Sequence, residues 1–312
     1  MIAQLPGLAI LLALGGIIYA LILILGTNWK LRHPPRRTYA AALARNLPSD
    51  PSELETPLPF DSWNFRSRNL DLPVWDITGQ SPQGPVIILT PGWGDSRIGA
   101  LVRTPYLAEH ASRIIAWDMP GHGEAPGTST LGVREPQDLA ALVEHLACPV
   151  VLFGWSLGAG VSIAAATDPN MSSQILAVIA EAPYRFPETP ARNVLRASQL
   201  PSGFSLTGAM WTLGLTGKGR RNFDRCAHAA RLSCPLLVIH GENDPVCPPA
   251  DGCAIADAAP DGTFALIESG DHNRLWTDPG MFAQTTRATE SFLAGLETYH
   301  HTDEHTAHQS DR

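Results

Sequence analysis

The hydrophobic pattern opens with one long apolar block. No charged side chain occurs before Lys30, and residues 5–25 are almost wholly apolar. A helix of about 20 apolar residues spans the hydrocarbon of a bilayer, so the block predicts a transmembrane anchor over residues 1–29. A cleaved signal peptide is the alternative, but its basic start, shorter apolar core and small-residue cleavage site are not evident here.

Basic residues follow the anchor directly, whereas none precedes it. They are Lys30, Arg32, Arg36 and Arg37. Basic flanks stay on the cytoplasmic side of a membrane, so we expect a single-pass membrane protein whose large domain lies in the cytoplasm, with membrane lipid as one partner. Residues 30–60, which hold six prolines, predict a tether with one short helix around 39–45.

Beyond the tether, short apolar runs alternate with helical patterns over residues 61–298. Polar and apolar residues alternate over 62–67 and 72–78, which predicts an antiparallel pair at a sheet edge. The predicted buried strands are 86–89, 113–117, 150–153, 176–180, 236–239 and 264–267. The predicted helices lie near 98–110, 135–146, 159–166, 250–258 and 281–296. This alternation predicts one α/β domain with a mostly parallel sheet and helices on both faces.

Composition narrows the possible partners. The formal net charge of -8 argues against nucleic acid, because phosphate neutralisation requires a basic face. Five cysteines without a C-x-x-C pair are typical of a reduced protein rather than of a disulfide framework.

The chemistry centres on Gly154-Trp155-Ser156-Leu157-Gly158, which lies between a buried-strand pattern and a run of small residues. The two glycines remove the Cβ atoms that would collide in a sharp strand-to-helix turn. With this context the segment resembles the nucleophile elbow of the α/β-hydrolase superfamily, which identifies Ser156 as the candidate nucleophile.

That resemblance implies an acid and a histidine further along the chain. After strand 236–239, the segment 240–246 resembles the acid loop of the superfamily and places Asp244 as the triad acid, with Glu242 as the fallback. After strand 264–267, the segment 268–272 resembles the loop that presents the catalytic base, His272. The order Ser156, Asp244, His272 is the order expected of this fold. We expect His240 to be structural.

An oxyanion hole is implied by the same resemblance. Its donors are the backbone N–H groups of Leu157 and of Trp93, because residues 90–96 resemble the His-Gly-x-Gly loop of the family. Pro91 stands where the family usually has histidine, so how this loop is braced is open. Residues 118–123 match a D-x-x-G-x-G turn of the family. We expect this turn to be structural and His122 within it not to be catalytic.

Two further segments complete the predicted organisation. The superfamily places a lid after the strand that follows the elbow, which implies a helical lid at about 184–233. Its basic residues Lys218, Arg220, Arg221 and Arg225 are expected on a solvated face rather than at an anion site. Residues 299–312, which hold four histidines, are expected to be a disordered tail.

The motifs together look similar to those of carboxylesterases, lysophospholipases and monoacylglycerol lipases. They imply a membrane-anchored serine hydrolase that cleaves a carboxylic ester or thioester, with an apolar acyl ester as the small-molecule substrate and no cofactor or metal. An acyltransferase, a serine peptidase or amidase on the same triad, and a non-catalytic binding relative are the alternatives. A dehalogenase or epoxide hydrolase is excluded, since those relatives have Asp where this chain has Ser156. The oligomeric state stays open.

Overall fold

A computed structural model describes residues 5–307, and the side chains of residues 7–296 within them. In this part of the chain one sheet has eight strands in the order β1-β2-β4-β3-β5-β6-β7-β8. The strands are β1 Phe60–Ser67, β2 Leu70–Thr78, β3 Val86–Thr90, β4 Arg113–Trp117, β5 Val150–Trp155, β6 Ile175–Glu181, β7 Leu236–Gly241 and β8 Gly262–Ile267.

The sheet is parallel from β4 to β8, and β2 is antiparallel to both β1 and β4. In its centre Ile88 lies opposite Ile115 on one side and Leu152 on the other. Because these strands run in the same direction, their carboxyl ends all lie at one edge of the sheet. The predicted opening hairpin and the mostly parallel sheet are confirmed.

Helices cover both faces of the sheet, and each face has its own apolar core. Ile88 belongs to one core and its neighbours Ile87 and Leu89 to the other, as the two-residue period of a strand requires. The helices are α1 Leu5–Arg32, α2 Tyr39–Leu43, α3 Arg97–Ala100, α4 Thr104–His110, α5 Glu135–Leu146, α6 Leu157–Ala165, α7 Glu188–Ala197, α8 Phe204–Thr212, α9 Gly217–Phe223, α10 Arg225–Ala229, α11 Pro249–Ala258 and α12 Pro279–Ala307.

Two predicted helical boundaries differ from the structure. The helix predicted over 98–110 is two helices, α3 and α4, because Pro105 cannot lie inside a helix but fits its first turn. The tail predicted to be disordered over 299–312 begins as helix, since α12 continues to Ala307 and no proline or glycine follows Gly295 to end it. Residues 308–312 lie outside the described residues.

The segment 30–60 is packed on the domain and is not the free tether that its prolines predict. Leu54 and Leu58 are buried in the core that contains Ile87 and Leu89. Arg37 Nη1 lies 3.0 Å from Asp95 Oδ1, and the Ser96 hydroxyl donates to the Arg37 carbonyl at 2.7 Å. The apolar residues between the prolines therefore fix the segment, because burying them is favourable.

Helices α7–α10 occupy the predicted lid region. Lys218 and Arg221 are exposed, as expected for a solvated face. Arg225 is not, because its side chain is only 2% exposed, lies 3.8 Å from the Phe223 ring centroid and donates to the Gly132 carbonyl at 2.8 Å. One member of the predicted basic face is thus buried between the lid and the rest of the domain.

The apolar block at the start of the chain forms α1. Its residues Gly7–Arg32, with a mean hydropathy of 2.9, are long and apolar enough to cross a membrane by length and composition. The last three turns of α1 lie against α8 of the lid, where the Asn28 amide donates to the Thr212 hydroxyl at 2.8 Å. The candidate membrane span and the lid are therefore in direct contact.

A half-buried histidine in the lid, His228, makes the fold sensitive to acid. Burial, together with the charge of Arg225, lowers the pKa of His228 to about 4. The unfolded state binds a proton near pH 6.5, so stability is lost as the pH falls from about 6.5 towards 4, with a loss of about 2 kcal/mol by pH 5. His228→Gln should reduce the pH dependence of the unfolding free energy by this amount, measured by urea unfolding in detergent at pH 8 and pH 5. The exposed His145→Gln is the matched control, and equal pH dependence in both variants would contradict the assignment.

Candidate active site

Ser156 occupies a strained turn at the carboxyl end of β5. Its φ of 53° lies in the left-handed region, between the last residue of β5 and the first of α6. A Cβ on Gly154 would lie 2.2 Å from the Gly158 carbonyl oxygen, and one on Gly158 would lie 2.0 Å from that of Thr90. Only glycine fits at both positions, which is why the motif has these residues at this spacing.

A chain of hydrogen bonds joins the three predicted site residues at this edge of the sheet. The Ser156 Oγ lies 3.1 Å from Nε2 of His272, and Nδ1 of the same ring lies 2.7 Å from Oδ2 of Asp244. Asp244 and His272 are carried by the loops after β7 and β8, so three separate strand ends bring the groups together. Distances of this size allow proton transfer between Ser156 and His272.

Asp244 is held as a carboxylate. Burial raises the pKa of this group, but hydrogen bonds from His240 and His272 and the charge of His272 outweigh burial and lower the pKa far below its usual range. Its second oxygen accepts backbone N–H groups from Val246 at 2.7 Å and Cys247 at 2.8 Å. The side chain is thereby locked with one oxygen towards His272.

The competing acidic and histidine residues have other positions. Glu242 is exposed and accepts the Ser269 N–H at 3.0 Å, so it is outside the hydrogen-bond chain. His240 is buried with Nε2 3.0 Å from the Cys247 carbonyl oxygen. His122 is buried, and its Nδ1 lies 3.2 Å from the Pro120 carbonyl oxygen. Burial lowers the pKa of His122, as expected for a neutral structural residue.

The loop predicted to supply an oxyanion donor lies beside Ser156. Gly92 approaches the turn so closely that a Cβ would lie 3.3 Å from the Ser156 Cβ, and Trp93 and Leu157 line the same cavity as Ser156. Leu157 is the first residue of α6, so its N–H lacks an acceptor inside the helix.

Two residues that precede the hydrolase domain, Leu31 and Arg37, brace this loop although Pro91 replaces the usual histidine of the family. The indole N–H of Trp93 donates to the Leu31 carbonyl at 2.8 Å, and Asp95 pairs with Arg37. The indole N–H of Trp155 donates to the other Asp95 oxygen at 3.1 Å. The end of α1 and the residues just after it therefore hold the loop, where the family usually has a histidine.

A cavity of about 490 Å³ opens above Ser156. It lies between the carboxyl edge of the sheet, the lid helix α7 and the end of α1. Its apolar wall includes Leu31, Val102, Leu131, Pro190, Val194 and Val246. This volume is in the range of small-molecule sites, and its lining is suited to a hydrocarbon chain.

Sequence reasoning missed a buried ion pair at the cavity wall. Glu181 at the end of β6 receives hydrogen bonds from Arg103 Nε at 2.9 Å and from the Trp276 indole at 2.7 Å. The Arg103 guanidinium lies 4.1 Å from the centroid of the Trp155 ring, next to the turn. The available signal was a charged residue at the end of a buried strand, but its partner Arg103, which lies between α3 and α4, cannot be inferred from sequence spacing.

Cys247 is the second residue that the motifs did not indicate. It is fully buried, and its sulfur lies within 4.8 Å of ligand atoms of Asp244 and His272. Burial, and then the charge of Asp244, raises the pKa of this thiol well above its usual range, while a hydrogen bond with Ser156 lowers it less. These three residues could offer ligands to a soft cation, but the thiol is neutral and the other two groups are engaged with each other.

The sheet order, the turn at Ser156 and the lid define a hydrolase with the α/β-hydrolase fold. A family model described as "Alpha/beta hydrolase family" matches residues 87–285. The chain belongs to the alpha/beta hydrolase family. The family match covers the sheet from β3 onwards, the lid and all three members of the hydrogen-bond chain.

Solved structures agree with this fold. An esterase of Pyrococcus furiosus is similar with a TM-score of 0.62 and 18% identity, over 83% of this chain and 97% of that one. An esterase of Thermogutta terrifontis is similar with a TM-score of 0.55 and 22% identity, over 76% and 99%. A membrane phospholipase A described as a bacterial virulence factor is similar with a TM-score of 0.59 and 16% identity, over 95% and 99%. A search of curated protein sequences found no match. At these identities the likeness shows the fold.

Proposed function

We propose that this protein is a membrane-anchored serine hydrolase that cleaves a carboxylic ester or thioester of an apolar acyl substrate. The observation that carries the proposal is the continuous hydrogen-bond chain from Ser156 through His272 to the buried Asp244. Ser156 and His272 line a largely apolar cavity. The similar solved structures include esterases and a phospholipase, which supports hydrolysis of esters.

The geometry supports a two-step mechanism. Ser156 Oγ attacks the acyl carbon while His272 Nε2 takes its proton, and Asp244 stabilises the resulting imidazolium through Nδ1–H. The backbone N–H groups of Leu157 and Trp93 stabilise the oxyanion. His272 then protonates the leaving alkoxide or thiolate, which releases the alcohol or thiol and leaves the acyl group on Ser156. In the second step His272 activates a water, which releases the acid and restores the hydroxyl.

The acyl-chain preference of the full-length protein in detergent micelles tests the substrate class. Each CH₂ buried against the cavity wall should raise kcat/KM by up to about fourfold, until the cavity is full. We therefore expect medium-chain p-nitrophenyl esters to be cleaved with a higher kcat/KM than the acetate. Val194→Trp, which narrows the cavity, should move the optimum to shorter chains. A flat or falling series would refute an apolar acyl group and favour a small polar ester, an amide or a peptide.

Acyl transfer is the second candidate because it uses the same acyl-enzyme. It is distinguished by adding an alcohol acceptor to the assay. Product analysis that finds mainly the new ester, with little free acid, would replace hydrolysis by transfer as the principal activity.

The side of the membrane is a separate part of the proposal. The basic residues that follow α1, with none before it, support a cytoplasmic position for the hydrolase domain. A reporter fused after Arg312 should be active in a format that requires the cytoplasm. Activity in a format that requires export would reverse the orientation and renew the case for a signal peptide.

A further inference from the structure

A second cavity of about 490 Å³ lies between the base of the lid and the helices α5 and α6. Called the lid-base cavity below, it is defined by Gly132, Pro136, Ala164, Leu215, Phe223 and Arg225. We propose that this cavity binds an organic monocarboxylate, whose carboxylate pairs with the guanidinium of Arg225. The proposal concerns a site separate from Ser156 and does not depend on the hydrolase activity.

The first observation is that the buried Arg225 has few acceptors for its N–H groups. Nη2 donates to the Gly132 carbonyl at 2.8 Å, whereas Nε has no hydrogen-bond partner among the described residues. Burial lowers the pKa of Arg225 only to about 10, so the side chain keeps its charge at neutral pH. Removing an ion from water is costly, and buried charges in proteins are therefore normally paired.

The other terminal nitrogen, Nη1, lies beside His228, which also lines the cavity. Nδ1 of His228 lies 2.9 Å from the Asp224 carbonyl oxygen and 3.5 Å from Arg225 Nη1. The shorter contact requires a proton on Nδ1, and a protonated ring nitrogen does not accept a hydrogen bond. The N–H groups of Nη1 can therefore donate to a ligand that enters beside His228.

The carboxylates whose charges act on Arg225 are engaged with other groups. Asp224 forms an ion pair with Arg185, whose Nη2 lies 2.7 Å from Asp224 Oδ2. Glu135 accepts the N–H groups of Gly132 at 3.0 Å and of Thr130 at 2.6 Å. Because Gly132 also accepts from Arg225 through its carbonyl, its peptide unit separates the two charges. Neither carboxylate therefore occupies the place of a direct partner.

Two glycines leave space for this side chain. A Cβ on Gly132 would lie 2.8 Å from Arg225 Nη2, and one on Gly160 would lie 3.0 Å from Nε. Gly132 also has a φ of 86°, which favours glycine. An aliphatic side chain would fill the same space without the cost of burying a charge, so we assign the guanidinium a binding role.

The rest of the lining indicates the class of anion. Its apolar residues suit a hydrocarbon or aromatic body, and they are Val133, Pro136, Ala164, Leu215 and Phe223. Asp168 also lines the cavity, and its carboxylate repels a dianion more strongly than a monoanion. An organic monocarboxylate meets both conditions. Inorganic phosphate, which is polar on every side and carries more charge, meets neither.

One loop separates the lid-base cavity from the active-site cavity, since Leu131 lines the latter and Gly132 the former. Substitutions that fill one cavity at a time can therefore locate a bound ligand. Ala164→Phe fills the lid-base cavity, and Val194→Trp, which narrows the active-site cavity, is the matched control. Arg225→Met removes the charge at a similar side-chain length.

Fluorine NMR of p-fluorobenzoate with the full-length protein in detergent micelles tests the proposal. This carboxylate is soluble in water and has a small aromatic body, and p-fluorobenzamide is its uncharged counterpart. The line width of the fluorine signal gives the Kd for each protein. The melting temperature of each variant shows whether it is folded.

We expect p-fluorobenzoate to bind the wild type and Val194→Trp with similar Kd, and to bind Arg225→Met and Ala164→Phe at least about tenfold more weakly. The amide should bind the wild type at least about tenfold more weakly than the acid. Asp168→Asn should strengthen binding of the acid by about two- to fivefold, because it removes a like charge. This variant keeps the contact with the Asn170 N–H, so it tests the proposal even if Arg225→Met does not fold.

Three results would overturn the proposal. Binding that is lost in Val194→Trp but kept in Ala164→Phe would place the carboxylate in the active-site cavity. Equal binding of the acid and the amide, or no binding of the acid with a Kd below about 10 mM, would leave Arg225 with a structural role alone. Inorganic phosphate that binds more tightly than p-fluorobenzoate, and loses affinity in Arg225→Met, would replace the monocarboxylate by phosphate.

Discussion

Replacing Ser156 by alanine should lower turnover by about 10³ to 10⁶-fold, because the acyl-enzyme can no longer form. The residual rate would come from substrate binding and the oxyanion donors alone. The measurement is kcat on a p-nitrophenyl ester, together with covalent labelling by a fluorophosphonate probe. The wild-type protein should be labelled and Ser156→Ala should not.

A second serine in the same helix provides the control. Ser162 is fully buried in α6 and belongs to the same run of small residues, but it is outside the hydrogen-bond chain. Ser162→Ala should be labelled like the wild type. Labelling that persists in Ser156→Ala would mean that the nucleophile is a different residue.

The second large effect is expected at the acid. Asp244→Asn should lower kcat by about 10⁴-fold while the protein stays folded, because the amide N–H₂ would face His272 Nδ1 and favour the wrong tautomer of the ring. The remaining amide oxygen can still accept the N–H groups of Val246 and Cys247, which now hold the loop. Comparing kcat with the melting temperature separates lost chemistry from lost folding.

Glu242→Gln is the matched variant, since it removes the other carboxylate of the same loop. Glu242 contacts the Ser269 N–H and a glutamine oxygen can replace that contact, so kcat should stay within a small factor of the wild type. The opposite result, in which Glu242→Gln loses activity and Asp244→Asn keeps it, would reassign the acid.

The strands and the turn at Ser156 were accessible from sequence because their signals are local, whereas Asp244 and His272 were implied by the resemblance of their loops to those of the superfamily. A buried parallel strand is a short apolar run, and the turn at Ser156 needs glycines at fixed spacing. The prediction of one helix over 98–110 was wrong for a local reason, because Pro105 fits only the first turn of a helix and therefore begins a second one. The prediction that Arg225 is solvated was wrong for a different reason. Its burial depends on Phe223, Gly132 and helix α6, which surround it only in the folded protein.

By itself, the sequence determined the apolar helix, the mostly parallel sheet and the turn at Ser156, because periodicity and glycine spacing act within a few residues, and its resemblance to the α/β-hydrolase superfamily implied Asp244 and His272 as the partners of Ser156. Only the tertiary structure decided that Glu181 pairs with Arg103 beside the cavity, and that residues 30–60 pack on the domain instead of tethering it. It also decided that α1 lies against the lid helix α8, at Ile24 and Gly208. These contacts join residues far apart in the chain, and their energy comes from buried area and complementary charge that exist only once the sheet has brought the surfaces together.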